Sequence, residues 1–217
     1  SARRLTVRVF CESGETFNAA MAAAEREVNR SLAGVEVAGT YAITSRSEQR
    51  VFVQSLLHEG RDSDGVVVVA REHPEVNQAI RRLVAAGIPV VCLTTDLPSS
   101  RRSTYVGNDQ YAAGSVSGQL IGKALPRESR RILLVMSAPF RCQQEREMGF
   151  RRVLRAEFSH LRIDDRVISD DLPETTYKHI MKYIEANGPP AAVYNVAGAN
   201  RGVAMALEST QIGRAHV

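Results

Sequence analysis

A run of five consecutive apolar residues, 66–70, constrains the fold of this 217-residue chain more than any other feature. Asp64 and Gly65 precede the run and mark a turn. A strand that is apolar on both faces is typical of a parallel sheet with helices on both sides. The run therefore predicts an α/β fold in which strands and helices alternate along the chain.

The segments around this run repeat the same alternation. Residues 5–9 alternate apolar and polar side chains as a strand does, whereas Phe17, Met21, Ala24 and Val28 recur at helical spacing. Further strands are predicted at 35–43, 88–93, 105–107, 132–136, 162–168 and 191–196. Helices are predicted between them, as right-handed crossovers require.

Several helix ends have a specific sequence signal. Pro74 suits the first turn of a helix, and Gly87 suits the left-handed residue that ends it. Asp109 is placed to cap the helix that runs to about Leu125. Ala113, Val116, Leu120 and Ala124 are predicted to form the inner face of that helix, with Gly114 and Gly118 permitting close packing on a sheet.

A polar break at 126–130 predicts two Rossmann-like lobes with parallel sheets, 1–126 and 127–217. The second lobe has three clear strands, and residues 213–217 are typical of the start of another. We therefore expect the second lobe to be incomplete and to continue past Val217. Ligands of such folds bind at the carboxyl ends of the strands.

Composition argues against several classes of protein. No apolar run approaches the roughly 20 residues that span a bilayer, and the N-terminus lacks the apolar region of a signal peptide. Three widely spaced cysteines, Cys11, Cys92 and Cys142, argue against disulfides and zinc and favour the cytoplasm. Cys92 is expected in the core, and Cys11 and Cys142 could lie at the edge of a pocket. The net charge of +4 permits contact with nucleic acid without indicating it.

Catalytic motifs are absent from the sequence. It contains no GxGxxG after the first strand, no GxxxxGK[ST] and no HExxH, and residues 114–118 place Val116 where a nucleophile elbow needs serine. The five histidines are dispersed, which makes a metal cluster improbable. We therefore expect a binding protein without a cofactor rather than an enzyme.

Ala-Gly-Ile-Pro-Val-Val-Cys-Leu-Thr-Thr-Asp-Leu-Pro at 86–98 is followed by Tyr-Val-Gly-Asn-Asp at 105–109 and by Ala113-Gly114. With these segments the chain resembles the effector-binding domain of the lac repressor family, which is similar in fold to the type I periplasmic sugar-binding proteins. Phe17, the segment 146–150, Tyr194-Asn195 and the segment 198–200 extend the resemblance over essentially the whole chain. The order and spacing of the motifs are more specific than any one of them.

The resemblance implies a sugar or related small molecule bound in a cleft that closes between the lobes. Rings and hydroxyl pairs need an aromatic face and bidentate polar groups. The site residues implied are Phe17, Thr95 and Asp96 from the first lobe and Arg146, Asn195 and Asn200 from the second.

Structural alternatives stay open for these residues. Phe17 also fits a helix core, Asp96 could stabilise a turn and Asn200 could cap a helix. Arg146 is predicted near a helix N-terminus, where a cation is unfavourable, and this favours a functional role. Asparagine at position 200, where the family often has an acid, leaves the ligand class open.

The resemblance further implies the sensor domain of a homodimeric transcription regulator. Operator DNA would bind through a helix-turn-helix headpiece, for which the residues before Leu5 give no room. The alternative is the solute-binding protein of a sugar transporter, and a third is an enzyme on the same scaffold. An upstream headpiece or an upstream signal peptide would separate the first two.

Overall fold

The computed structural model describes residues 3–210, apart from the side chains of Asp164 and Asp165. The chain forms two compact units that divide between Asn108 and Asp109. Each unit is a parallel sheet with helices, so the α/β class predicted from residues 66–70 is confirmed. The strand predicted at 213–217 lies outside the described residues. Between residues 3 and 210, no helix has both the length and the apolar character that crossing a membrane requires.

The first unit contains a five-stranded sheet in the order β2-β1-β3-β4-β5. Its elements are β1 (Leu5–Ser13), α1 (Glu15–Ser31), β2 (Val35–Ile43), α2 (Gln49–Arg61), β3 (Gly65–Val69), α3 (Pro74–Ala85), β4 (Val90–Leu93) and β5 (Thr104–Val106). Phe10, Leu56, Val68 and Leu83 are among the fully buried side chains that join the sheet to its helices. Cys92 belongs to this core, as predicted.

Both ends of α3 follow from the sequence signals. Pro74 occupies the first turn, and the His73 ring Nδ1 accepts a hydrogen bond from the Glu75 amide at 3.2 Å. The helix ends before Gly87, whose φ of +83° is the left-handed conformation that glycine adopts without a steric penalty. The predicted start and stop of this helix are confirmed.

The second unit contains a three-stranded sheet in the order β7-β6-β8. Its elements are α4 (Gln110–Ala124), β6 (Arg130–Met136), α5 (Arg141–Glu157), β7 (Leu161–Ile168), α6 (Pro173–Asn187), β8 (Ala192–Asn195) and α7 (Asn200–Thr210). Phe150, Val153 and Leu154 are buried on α5, as their spacing predicts. Ile180 is buried on α6 and packs with Leu133 and Val135 of the central strand.

Helix α4 belongs to the second unit, although the sequence placed it in the first lobe and put the boundary after Pro126. The Asp109 carboxylate caps α4 by accepting a hydrogen bond from the Ala112 amide at 2.9 Å, as expected. The predicted inner face is wrong, because Val116 and Leu120 are 58% and 66% exposed. The glycines instead form the buried face of α4.

Helices α4 and α5 pack backbone against backbone. A Cβ atom added to Gly114 would overlap the Arg146 carbonyl, and one added to Gly149 would overlap the Tyr111 carbonyl. Gly118 lies against Val153 one turn further on. The glycines thus serve close helix-to-helix packing, whereas the sequence had suggested helix-to-sheet packing.

Candidate functional site

Polar and charged residues collect where the strands of the first sheet end. Glu12 and Ser13 finish β1, Arg71 follows β3 by two residues, and Thr94 and Thr95 follow β4. Because all these strands are parallel, their carboxyl ends share one edge of the sheet. Ligands of open α/β sheets bind at this edge.

A buried ion pair joins two of these strand ends. The Glu12 side chain is 0% exposed, and its Oε1 and Oε2 atoms accept hydrogen bonds from Arg71 Nε at 3.0 Å and Nη2 at 3.2 Å. Glu12 Oε1 also accepts from the Arg71 backbone amide at 2.9 Å. This bidentate pairing fixes the guanidinium at the carboxyl edge, with part of its surface exposed.

Sequence reasoning did not identify this pair, because 59 residues separate its members. The available signal was an acidic residue near the end of one apolar strand and a basic residue just after another. Such a signal gains meaning only when both strands are known to be neighbours.

Hydrogen bonds of the Asn18 side chain link the start of α1 to the same edge of the sheet. Its side-chain Nδ2 donates to the Ala42 carbonyl at 2.8 Å, and its Oδ1 accepts from the Cys11 thiol at 3.3 Å. Cys11 is fully buried in the core beside Val9 and Val69, and burial raises the pKa of its thiol to about 12.

The three predicted first-lobe residues have different environments. Phe17 is half-buried on α1 and packs against the cluster that contains Val9 and Val69. Thr95 is 1% exposed. The Asp96 carboxylate accepts from Arg102 Nε at 2.9 Å, from Arg102 Nη2 at 2.8 Å and from the Leu97 amide at 2.7 Å. Asp96 therefore stabilises the turn after β4.

Thr94 bends the chain sharply at the end of β4. Its φ of 65° lies in the left-handed region, which threonine rarely adopts. The Tyr105 hydroxyl lies 3.1 Å from the Thr94 carbonyl and 2.9 Å from the Asn108 carbonyl, and its single proton can be donated to either oxygen, which helps to hold this turn.

Polar groups also link the three strand ends of the second sheet. After β6, the Ser137 amide donates to Gln143 Oε1 at 2.9 Å, and Gln143 Nε2 donates to the Ser137 hydroxyl at 2.8 Å. After β7, the Asp171 carboxylate receives hydrogen bonds from the Ser137 hydroxyl and from the Gly198 amide, the latter at 2.7 Å. Asp171 thereby joins the loops that follow β6, β7 and β8.

Burial raises the pKa of Asp171 above its ordinary value of 3.8, against the lowering effect of the bonds from Gly198 and Ser137. A raised folded-state pKa means that this group stabilises the fold at low pH, and that the contribution is lost as pH rises through the folded-state pKa.

We expect Asp171→Asn to remove this pH dependence. The amide oxygen of asparagine can still accept from the Gly198 amide, so the loop should keep its shape. The stability of the variant relative to the natural protein should rise as pH rises from about 4 to neutrality. Urea unfolding across that range measures the difference, and a difference that stays constant with pH would contradict the assignment.

Asn195 and Asn200 contact each other at the end of β8. Asn195 Nδ2 donates to Asn200 Oδ1 at 2.7 Å and to the Gly198 carbonyl at 3.0 Å, and its Oδ1 accepts from the Ala197 amide at 3.0 Å. Asn195 is thus committed to the loop, whereas Asn200 is exposed as the first residue of α7. Of the two, Asn200 has the side chain that a ligand can reach.

Arg146 lies on α5, and its Nε donates to Gln110 Oε1 of α4 at 2.7 Å. Because α5 begins at Arg141, Arg146 is in its second turn. The unfavourable effect of a helix N-terminus on a cation is confined to the first turn, so it gives no reason here to assign Arg146 a functional role. Arg146 is half-buried beside the α4–α5 contact. The structure therefore brings Asn195 and Asn200 together and places Arg146 apart from their hydrogen bonds.

A cavity of about 540 Å³ opens beside the loop that follows β6. Met136, Met148 and Ile168 give it apolar walls, and polar groups come from Ser137, Gln144 and the ion-paired Glu147, Arg151 and Arg166. Mixed walls of this kind suit small molecules with both apolar and hydroxyl surface. Gln144 and Met148 are exposed on α5, and the sequence analysis had not considered either as a site residue.

No group of three metal-ligating side chains occurs within residues 3–210. The carboxylates of both sheet edges are instead occupied by arginine, hydroxyl and amide donors, as described above for Glu12 and Asp171. Hydrogen-bonding chemistry is what these two edges can offer a ligand.

Solved structures with the same fold are numerous. A solute-binding protein of an ABC transporter from Burkholderia graminis, in complex with D-arabinose, aligns with a TM-score of 0.83 and 21% identity over 98% of this chain and 73% of that one. GanP, a glucose-galactose binding protein from Geobacillus stearothermophilus, aligns with a TM-score of 0.80 and 22% identity, covering 97% and 75% of the two chains. A periplasmic solute-binding protein from Actinobacillus succinogenes with bound D-allose gives 0.77 and 15%, covering 95% and 74%.

No curated protein sequence matches significantly. A family model described as the periplasmic binding protein domain matches residues 9–216. The parallel sheets and helices of both units agree with the type I fold of these proteins. Since the match spans nearly the whole chain, the protein belongs to the periplasmic binding protein domain family.

Proposed function

We propose that the protein binds a sugar or sugar derivative and is a receptor rather than an enzyme. The observation that carries this proposal is the polar carboxyl edge of each sheet, built around Glu12 and Arg71 in one unit and around Asp171, Asn195 and Asn200 in the other. The accessible groups of these edges, Arg71 and Asn200, can bond hydroxyls, and structural neighbours of this chain hold D-arabinose and D-allose.

The role that the comparisons favour is the solute-binding protein of a sugar transporter. The similar structures include several ABC transporter solute-binding proteins. In this role the protein would bind its sugar outside the cytoplasm, deliver it to the transporter and have no contact with DNA.

A second role is supported by the lac repressor motifs at 86–98 and 105–109. In that role the protein would be a cytoplasmic, homodimeric sensor in which the sugar controls operator binding through a helix-turn-helix headpiece. The gene decides between the roles: an upstream headpiece supports the regulator, and an upstream signal peptide supports the transporter component.

Titration calorimetry with D-arabinose, D-allose, D-glucose and D-galactose tests the sugar proposal. We expect saturable binding of at least one of these sugars, with no turnover of the bound sugar. Absence of binding to every sugar, or formation of a new product, would contradict the proposal.

Arg146→Ala tests the contribution of α5 to the same binding. If Arg146 donates charged hydrogen bonds to the sugar, its loss should weaken binding roughly ten- to a hundredfold. A melting curve separates this from a structural effect, since Arg146 also bonds Gln110. Unchanged affinity would remove Arg146 from the proposed site, and a lower melting temperature with full affinity would give it a purely structural role.

A further inference from the structure

A second cavity of the second unit lies away from the carboxyl edge, at the amino end of β7. Its volume is about 360 Å³, and it opens between the C-terminal half of α5 and the first residues of β7. Leu154 and Leu161 contribute apolar walls, and Arg151, Arg155 and Arg162 also line it. Three arginine residues therefore line a space of small-molecule size.

Among the side chains that the structure describes, one carboxylate, that of Glu147, contacts an arginine of this cavity. Arg151 Nε donates to Glu147 Oε1 at 2.6 Å, but the same oxygen accepts from Arg166 Nη2 at 2.6 Å. One carboxylate thus serves two arginines. Arg155 and Arg162 are exposed, and neither has a hydrogen bond or ion pair with any residue that the structure describes.

Clustered guanidinium groups around a cavity repel one another, and an anion bound among them replaces this repulsion with attraction. The planar fork of arginine fits the oxygens of a phosphate better than any other side chain does. The helix C-terminus accounts for a cation at Arg155, because α5 ends at Glu157, but not for Arg162, which is on a strand.

We propose that this cavity is a second ligand site, which binds the phosphate group of a small molecule. Arg155 and Arg162 hold the phosphate, Arg151 adds charge from its fixed position beside Glu147, and the Ser159 side chain supplies a hydroxyl. The site lies at the opposite end of β7 from Asp171, and Arg151 is the residue that it shares with the lining of the 540 Å³ cavity.

The test titrates inorganic phosphate and glucose 6-phosphate into the protein at constant ionic strength, with binding followed by amide NMR shifts. We expect saturable shifts in residues 154–163. Arg155→Gln with Arg162→Gln should weaken binding at least about a hundredfold, since each charged hydrogen-bonding partner is worth roughly tenfold or more. Tighter binding of glucose 6-phosphate, measured from the shifts of residues 154–163, identifies an organic phosphate as the ligand, and equal binding at these residues identifies free phosphate.

Arg50→Gln with Arg82→Gln is the matched control, because it removes the same charge from two exposed arginines of the first unit. We expect it to leave phosphate binding unchanged. The proposal is overturned by equal weakening in both double variants, by shifts from inorganic phosphate that lie only outside this cavity, or by tighter binding of a short oligonucleotide through the same arginines. Glucose competes only at the proposed sugar site, so excess glucose should leave the phosphate-dependent shifts of residues 154–163 unchanged, and their loss would also overturn the proposal.

Discussion

Gly114→Ala should destabilise the second unit by about 3 kcal/mol, the upper end of the usual cost of overpacking. An added methyl group at this position would overlap the Arg146 carbonyl, which is backbone and cannot turn aside. Helices α4 and α5 would have to separate along the contact that Gly114 and Gly149 share. We expect the midpoint of thermal unfolding to fall by roughly 10 °C.

The sign of this effect is informative, because helix propensity predicts the opposite. Alanine favours a helix by about 1 kcal/mol over glycine, so a change without a packing cost would stabilise α4. Gly118→Ala is the matched control on the same face, where the closest atom is the side-chain Cβ of Val153 at 3.1 Å. The control should lose less stability. Equal or higher stability for Gly114→Ala would show that the two helices do not depend on this close contact.

The glycine face of α4 shows where sequence reasoning fails and why. Apolar periodicity identified Phe150, Val153 and Leu154 on α5, because large side chains are buried there in the usual way. On α4 the buried face has almost no side chains, so the apolar residues Val116 and Leu120 pointed to the wrong face. A pattern based on hydrophobicity cannot identify a helix face that is buried because its residues are small.

Local signals were the most reliable part of the prediction. The limits of β2 and both ends of α3 follow from residues within a few positions of each boundary, and the structure agrees with them. The assignment of α4 to a unit depends on its contact with α5, across the polar segment 126–130. That contact is tertiary, and no local sequence pattern indicates it.

The candidate site shows the same difference between local signals, which the sequence contains, and tertiary contacts, which it does not. The sequence located the polar strand ends, since parallel strands place them at one edge. It did not identify the Glu12–Arg71 pair or the Asp171–Gly198 bond, which join residues 59 and 27 positions apart. It also left open whether Asp96 contacts a ligand, and the bidentate bond from Arg102 engages both of its oxygens.

Arg71→Ala should destabilise the first unit by about 3–5 kcal/mol, because it leaves the Glu12 carboxylate buried without its guanidinium partner. Arg102→Ala is the matched control. It removes an equally bidentate arginine, but Asp96 keeps 18% of its side chain exposed where Glu12 keeps 0%, so water can replace the lost partner. We expect a loss of only about 1 kcal/mol there. Urea unfolding measures both losses, and similar values would contradict the role of burial.

Changing both partners separates stability from binding. Glu12→Gln with Arg71→Met removes both charges, and the glutamine oxygen can still accept from the backbone amide of residue 71. Replacing both members of a buried pair is often close to neutral, so most of the lost stability should return. Sugar affinity should not return with it if Arg71 donates to the ligand from the carboxyl edge. A double variant that is both stable and fully able to bind would leave the pair with a structural role alone.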